Sequence, residues 1–371
     1  DVMVSPRFLN GVRCARMERG TYHQPRQEET EMNITTVGMD LAKNVFHIVG
    51  LDEHGHEKMK KQLSRSQVLK HFANHPACVI GMEACASAHY FARELRKLGH
   101  EAKLIPPQYA KAYVRGQKND TNDARAIAEA VRVPSMRFVT VKTVAQQDVQ
   151  SLIRLREGAI NARTAAANRL RGLLGEYGLV RGKSLSTLRR ALPEILEVAN
   201  NGLTDVFRRL LAQERQHLLE LDAHIDTLTA ELTALSKQDD RVQRLQTAPG
   251  YGPIVASVFA SVMGDGKQYR RGRDASASVG LVPRQHSSGG KNVLLGISKR
   301  GDRYLRSLLI HGARAVVNAA QKKDDPLSRW INHLREKRGM NKATVALANK
   351  LARIGWAILR HGTTYQPAQA S

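Results

Sequence analysis

The spacing of apolar positions changes along the chain, and the changes mark out its elements. After Met32 three short runs, ITTVGMD, VFHIVGLD and EKMKKQL, read as strands separated by LAKN and by EHGH, where Gly55 can supply a turn. Strands joined so closely predict an antiparallel meander. SRSQVLKHFANH has helical spacing, HPACVIGME is a buried strand, ASAHYFARELRKLGH is an amphipathic helix stopped by Gly99, and EAKLIPP is a further strand. With a helix from Asn119 to Val131, the pattern predicts an α/β domain over residues 32–143.

From Val144 to Tyr177 the chain is rich in Ala, Arg and Leu at helical spacing, and Gly178 provides a stop. Leu211, Leu218, Leu221, Ile225, Leu228, Leu232 and Leu235 then recur on three- and four-residue steps, broken only by Glu214. Such a seam is that of a coiled coil, and heptads leave open whether the partner is another chain or an antiparallel helix of the same one. Residues 144–240 are therefore read as a long helical, coiled-coil connector. A mainly α-helical unit over 241–365 follows, opening with TAPGYGPIVASVFASVMGDG and alternating helices with loops rich in Gly, Ser, Lys and Arg. Residues 1–31 are polar and without period, and are read as a disordered or non-native extension; 366–371 form a tail.

Composition changes this picture by adding a partner. Lys and Arg number 58 against 34 acids, a net charge of +24 in 371 residues, which is more than solubility requires and fits a polyanion. A merely basic protein or a ribosome-associated factor is the plainer alternative. Cys14, Cys78 and Cys85 form no Cys-x-x-Cys pair, so neither a disulfide framework nor a structural zinc site is supported, and a cytoplasmic location is expected. No apolar run approaches the roughly 18 to 20 residues of a membrane span.

The candidate chemistry lies in carboxylates and serines. Asp40 ends the first strand in GMDLAK, and Glu83 ends a buried strand in VIGMEAC. Asp120 and Asp123 stand three apart in KNDTNDARAIAEAV, which places both on one face of a helix. Oxygen ligands suit Mg²⁺, with Mn²⁺ as a substitute, and such ions activate an attacking oxygen and stabilise a leaving one. Each acid also has a plainer reading, as a helix N-terminal residue for Asp120 and Asp123 or as a turn residue for Asp40. A first-strand Asp, a later strand-end Glu and a helical acidic pair together make the pattern of an RNase H-like site.

In GLVPRQHSSGGKNVLLGISKRGDRYLRSLL, Ser287 and Ser288 precede Gly289 and Gly290, and Lys291, Lys299, Arg300 and Arg303 follow. Small residues let a phosphate approach, cations hold it, and a serine hydroxyl needs activation to attack it. The alternative is a flexible glycine-rich surface loop. TAPGYGPIV, with Gly250 and Gly252, looks like the hairpin of a helix-hairpin-helix element that grips phosphates, or else is an ordinary Gly-Pro connection. His54, His56 and His286 lack metal-ligand spacing; Tyr251 and Tyr304 lack the surroundings of a tyrosine nucleophile; Trp330 and Trp356 read as core.

Together GMDLAK, GMEAC, KNDTNDARAIAEA, APGYGP, GLVPRQHSSGGK and ISKRGDRYLR resemble the DEDD transposases of the insertion-sequence 110 family, 1111 subgroup, relatives of the Piv-type DNA invertases. The similarity runs from Met32 to His361, and residues 1–31 match nothing in it. The resemblance implies a RuvC-like domain and a C-terminal transposase domain joined by a coiled coil. It puts the metal-binding acids at Asp40, Glu83, Asp120 and Asp123 and the nucleophile at Ser288, with Ser287 one position away. It further implies a phosphoserine intermediate, a site composed from different protomers, donor and target DNA, an element-encoded bridge RNA, and a homo-oligomer, dimeric and tetrameric on DNA. Lys43, Gly250, Gly252, Lys291, Lys299, Arg300 and Arg303 are the expected nucleic-acid contacts. Two other readings compete: a RuvC-like nuclease that uses metal-activated water, and a non-catalytic nucleic-acid-binding protein.

Overall fold

The computed structural model of the chain describes residues 33–114 and 119–367, and the expected extension, 1–31, lies outside them. The chain divides into two compact units between Val139 and Thr140.

The first unit is built on a five-stranded sheet. Its strands are β1 (Thr36–Leu41), β2 (Val45–Leu51), β3 (Glu57–Ser64), β4 (Val79–Glu83) and β5 (Glu101–Ile105), in the order β3-β2-β1-β4-β5. The first three pair antiparallel, as the meander predicts, and β4 and β5 add parallel to β1. The helices are α1 (Val68–Ala73), α2 (Ala88–Lys97), α3 (Pro107–Ala110) and α4 (Asp120–Val131).

Alternation along each strand divides the sheet into two faces. Val37, Met39, Ile48, Ile80 and Met82 share one face, and Phe46 there meets Phe91 of α2 edge-on at 5.0 Å between ring centroids. The other face carries Gly38, Asp40, His47, Val49, Gly81 and Glu83. Helix α4 covers it, packing Ala124 and Ala128 against Val49 and Leu51.

The second unit opens with a helical hairpin. Helix α5 (Val144–Glu176) starts with a capping box in which Thr143 Oγ1 accepts from the Gln146 N–H at 3.2 Å and Gln146 Oε1 accepts from the Thr143 N–H at 3.0 Å. Helices α6 (Leu185–Glu197) and α7 (Asp205–Gln238) follow. Arg156 bonds Thr229, Arg163 bonds Asp222 and Arg169 bonds Glu214, so rising numbers on α5 meet falling numbers on α7: the two run antiparallel. The apolar seam of α7 is thus buried within its own chain. Glu214, which interrupts it, is held by Arg169 at 2.9 Å. Leu170, Leu174, Leu188, Leu192, Leu211 and Leu218 form a separate core at the tip of the hairpin.

At the other end of the hairpin, Leu152, Ile153, Leu228 and Leu232 join the main core of this unit. The helices there are α8 (Asp240–Gln246), α9 (Pro253–Met263), α10 (Gly272–Ser278), α11 (Arg303–Ala319), α12 (Pro326–Arg338) and α13 (Met340–His361). Trp330 and Trp356 pack against this core, as their helical context predicts, and the Trp356 indole donates to Gly266 O at 3.0 Å. The stretch expected as a serine-glycine loop is a two-stranded ribbon, β6 (Pro283–Ser288) and β7 (Lys291–Ile297). Gly289 and Gly290, with φ of 56° and 76°, make the two-residue turn, whose primed geometry matches the twist of the flanking strands.

Candidate metal centre and serine ribbon

The acidic site is assembled by strand register. β1 and β4 pair Gly38 with Gly81 and Met39 with Met82, so the next positions, Asp40 and Glu83, stand side by side at the C-terminal ends of the two strands. Two residues earlier on the same face, a Cβ on Gly38 would lie 2.1 Å from Ala124 O, and one on Gly81 2.9 Å from Val131 Cβ. These glycines let α4 settle directly on the sheet. Its first turn then brings Asp120 and Asp123 over the strand ends. Asn119 caps the helix by accepting from the Asn122 N–H at 2.8 Å.

Ligand oxygens of Asp40, Asp120 and Asp123 all lie within 4.8 Å of one another. Glu83 stands just outside that group, yet its charge is felt by Asp40. Burial first, then the negative charges of Asp123, Asp120 and Glu83, hold the Asp40 carboxyl above its ordinary pKa, with His47 opposing. Repulsion among four acids is what a divalent cation relieves, and hard oxygen donors at this spacing suit Mg²⁺ or Mn²⁺. The residues present therefore fit such an ion. Asp120 and Asp123 also lie where a helix dipole favours acids, so the plainer reading of their position holds at the same time.

Sequence reasoning missed His47. It lies directly across from Asp40 in the β1–β2 pair, with Nδ1 3.6 Å from Asp120 Oδ2. The signal was there in the short LAKN turn, which requires the strand after Asp40 to return past it. Lys43, in that turn, is exposed.

In the second unit the two serines differ. Ser287 is tied into the ribbon, accepting from Gln285 Nε2 at 2.8 Å and donating to Asn292 Oδ1 at 2.9 Å. Ser288 is exposed, pairs with Lys291 across the turn, and has no side-chain hydrogen bond among the described residues. The ribbon carries exposed apolar groups as well, with Leu294 65% and Val293 47% accessible.

Lys299 and Arg300 lie on a turn held by backbone packing: Lys299 has φ 55°, and a Cβ on Gly280 would sit 2.3 Å from Arg300 O. Arg306, only 9% exposed, donates to Val279 O at 2.9 Å and Arg300 O at 3.1 Å, and so clamps that turn. Arg303 is exposed at the start of α11.

TAPGYG is the turn between α8 and α9. Gly250, at φ 83°, packs against Gly312 of α11, while Gly252 is exposed at the head of α9. Tyr251 is buried and donates its hydroxyl to Leu351 O at 2.9 Å, and burial drives its pKa far up. No helix of the described residues is long and apolar enough to cross a membrane.

Known proteins resemble this chain in both of its units. An IS110-type DEDD transposase model matches residues 37–178, which span all four acids. A second, described as Transposase IS116/IS110/IS902 family, matches residues 242–327, which include the serine ribbon. A "Probable family 20 transposase" of Pseudomonas aeruginosa is 49% identical over 91% of this chain and all of its own length. The transposase for insertion sequence element IS1111A of Coxiella burnetii is 46% identical over 98% of this chain and 99% of its own. That alignment takes in most of residues 1–31, which sequence analysis set apart from the family. The transposase for insertion sequence element IS1328 of Yersinia enterocolitica is 41% identical over 90% of this chain and 99% of its own. With relatives this similar along almost their whole length, the chain belongs to the IS116/IS110/IS902 family of transposases, in its DEDD-type group.

Proposed function

We propose that this transposase cuts and exchanges DNA strands through Ser288, with Asp40, Glu83, Asp120 and Asp123 holding Mg²⁺, for which Mn²⁺ can substitute. The observation that carries the reading is the convergence of Asp40, Asp120 and Asp123 within 4.8 Å beside Glu83. The sheet order, with three antiparallel strands followed by two parallel ones and the acids at strand ends, supports a RuvC-like, RNase H-like assignment for the first unit.

A bound divalent ion supplies Lewis-acid activation and neutralises charge on the scissile phosphate. The chain's own part is to present a hydroxyl. Ser288 Oγ forms a bond to phosphorus as one P–O ester bond breaks, and the proton it loses ends on the released DNA hydroxyl. The phosphoserine link conserves the energy of the broken ester, so reversal onto a different DNA hydroxyl rejoins strands without ATP. The free Ser288 hydroxyl, beside a tied Ser287, favours position 288. Lys43, Lys291, Lys299, Arg300 and Arg303 hold phosphates, as do the backbone amides around Gly250 and Gly252. Donor and target DNA are paired by an element-encoded bridge RNA, and the working form is a dimer that pairs to a tetramer on DNA, in the cytoplasm.

The test is to incubate the full-length chain with its flanking RNA, donor DNA and target DNA, and to look for a covalent protein–DNA adduct. The adduct is expected with the wild type and with Ser287→Ala, and is lost in Ser288→Ala together with recombination. Full recombination by Ser288→Ala would mean that water is the nucleophile. Undiminished activity in Asp40→Asn would remove the acidic site from the chemistry altogether.

A further inference from the structure

We propose that His47 is a positioning residue of the acidic site, donating its Nδ1–H to Asp120 and so fixing that carboxylate toward Asp40 and Asp123. Three independent observations lead there. By register, His47 is the cross-strand partner of Asp40, so its ring rises from the sheet on the face that carries the acids. By distance, its Nδ1 lies 3.6 Å from Asp120 Oδ2, one small rotation beyond hydrogen-bond length. By burial, Nδ1 is cut off from solvent and has no hydrogen-bond partner among the described residues, an arrangement that costs desolvation energy until the bond closes.

The asymmetry of exposure shows which group needs holding. The His47 side chain is 20% exposed and set in the sheet, whereas that of Asp120 is 61% exposed on the first turn of α4. A carboxylate that open has several rotamers available, and a ligand left to wander binds weakly. An imidazole anchored in a strand removes that freedom, much as hydrogen-bond partners behind metal ligands commonly do. The donor is the Nδ1–H and the acceptor is Asp120 Oδ2.

This inference rests on the reading that the acids hold a divalent ion, and the experiment separates the two. Mn²⁺ is titrated into the full-length chain at constant pH and followed by the loss of the free-ion electron paramagnetic resonance signal, with thermal melts run alongside. Wild type is expected to bind, and Asp40→Asn to lose binding. His47→Ala should weaken affinity about 10- to 100-fold, the range for partners behind metal ligands. His47→Asn, whose amide nitrogen reaches where Nδ1 lies, should recover most of it. If His47→Ala binds as well as wild type while Asp40→Asn does not, the acidic site stands and the role of His47 falls. Equal weakening in His47→Ala and His47→Asn would reduce the residue to packing and overturn the proposal. A wild-type chain that takes up no Mn²⁺ overturns the acidic-site reading and this inference with it.

Discussion

Gly38 and Gly81 face each other on β1 and β4, and helix α4 lies against both. Two residues further along each strand stand Asp40 and Glu83, so the absence of two side chains sets the height at which the acids of α4 meet the acids of the sheet. Packing and chemistry are coupled at this one crossing.

Substituting these glycines should therefore damage stability and metal binding together. In Gly38→Ala the new methyl meets backbone of α4 at 2.1 Å, and backbone cannot step aside. A loss of about 3 kcal/mol or more is expected, at the upper end for overpacking. Gly81→Ala meets the Val131 side chain at 2.9 Å and should cost nearer 1 kcal/mol. Denaturant unfolding and Mn²⁺ titration of both variants check the ranking; equal, negligible effects would contradict the packing.

The raised Asp40 pKa sets an opposite sign for stability and function. The folded chain holds that proton more tightly than the unfolded one, so the group favours folding below its ordinary pKa. That contribution is lost as pH rises through the raised value. Near neutral pH and without metal, Asp40→Asn should melt higher than wild type, and the gap should close in acid. A divalent ion at 100 times its dissociation constant should add about 2.7 kcal/mol to wild type and little to the variant. Calorimetry across pH, with and without Mg²⁺, reads all of these.

The serine ribbon should be separable from the rest of the fold. Gly290 has φ 76°, where a side chain costs about 1–2 kcal/mol. Because every residue of β6 is exposed, Gly290→Val should distort the turn beside Ser288 without lowering the global melting temperature. Strand-transfer assays alongside melts test this; a large fall in melting temperature would count against it.

Arg306 offers a contrasting case. Its guanidinium donates to two carbonyls and is buried, so Arg306→Met should destabilise the second unit by about 1.5–3 kcal/mol, the value of charged hydrogen bonds. The turn bearing Lys299 and Arg300 should loosen with it. DNA affinity measured at several salt concentrations should drop, and the salt slope should flatten if, as proposed, these two cations hold phosphates.

The periodicity of the chain was enough to determine most of its elements, because local spacing reports which face of a strand or helix is buried. The β1–β3 meander, the strand-end positions of Asp40 and Glu83, the acidic pair on α4 and the long helices of the second unit were all legible in this way. Position 47 was legible only in part: the short LAKN turn returns the chain past Asp40, but which residue lands opposite it depends on register, and so on where the turn closes. The ribbon around Ser288 was hidden too: its strands bury no face, so alternation left no trace, and only the paired glycines hinted at it. Whether the seam of α7 met its own chain or another was equally beyond a heptad count. Tertiary structure decided it, through the pairing of Arg156, Arg163 and Arg169 with Thr229, Asp222 and Glu214, because which surfaces meet depends on contacts between residues far apart in sequence.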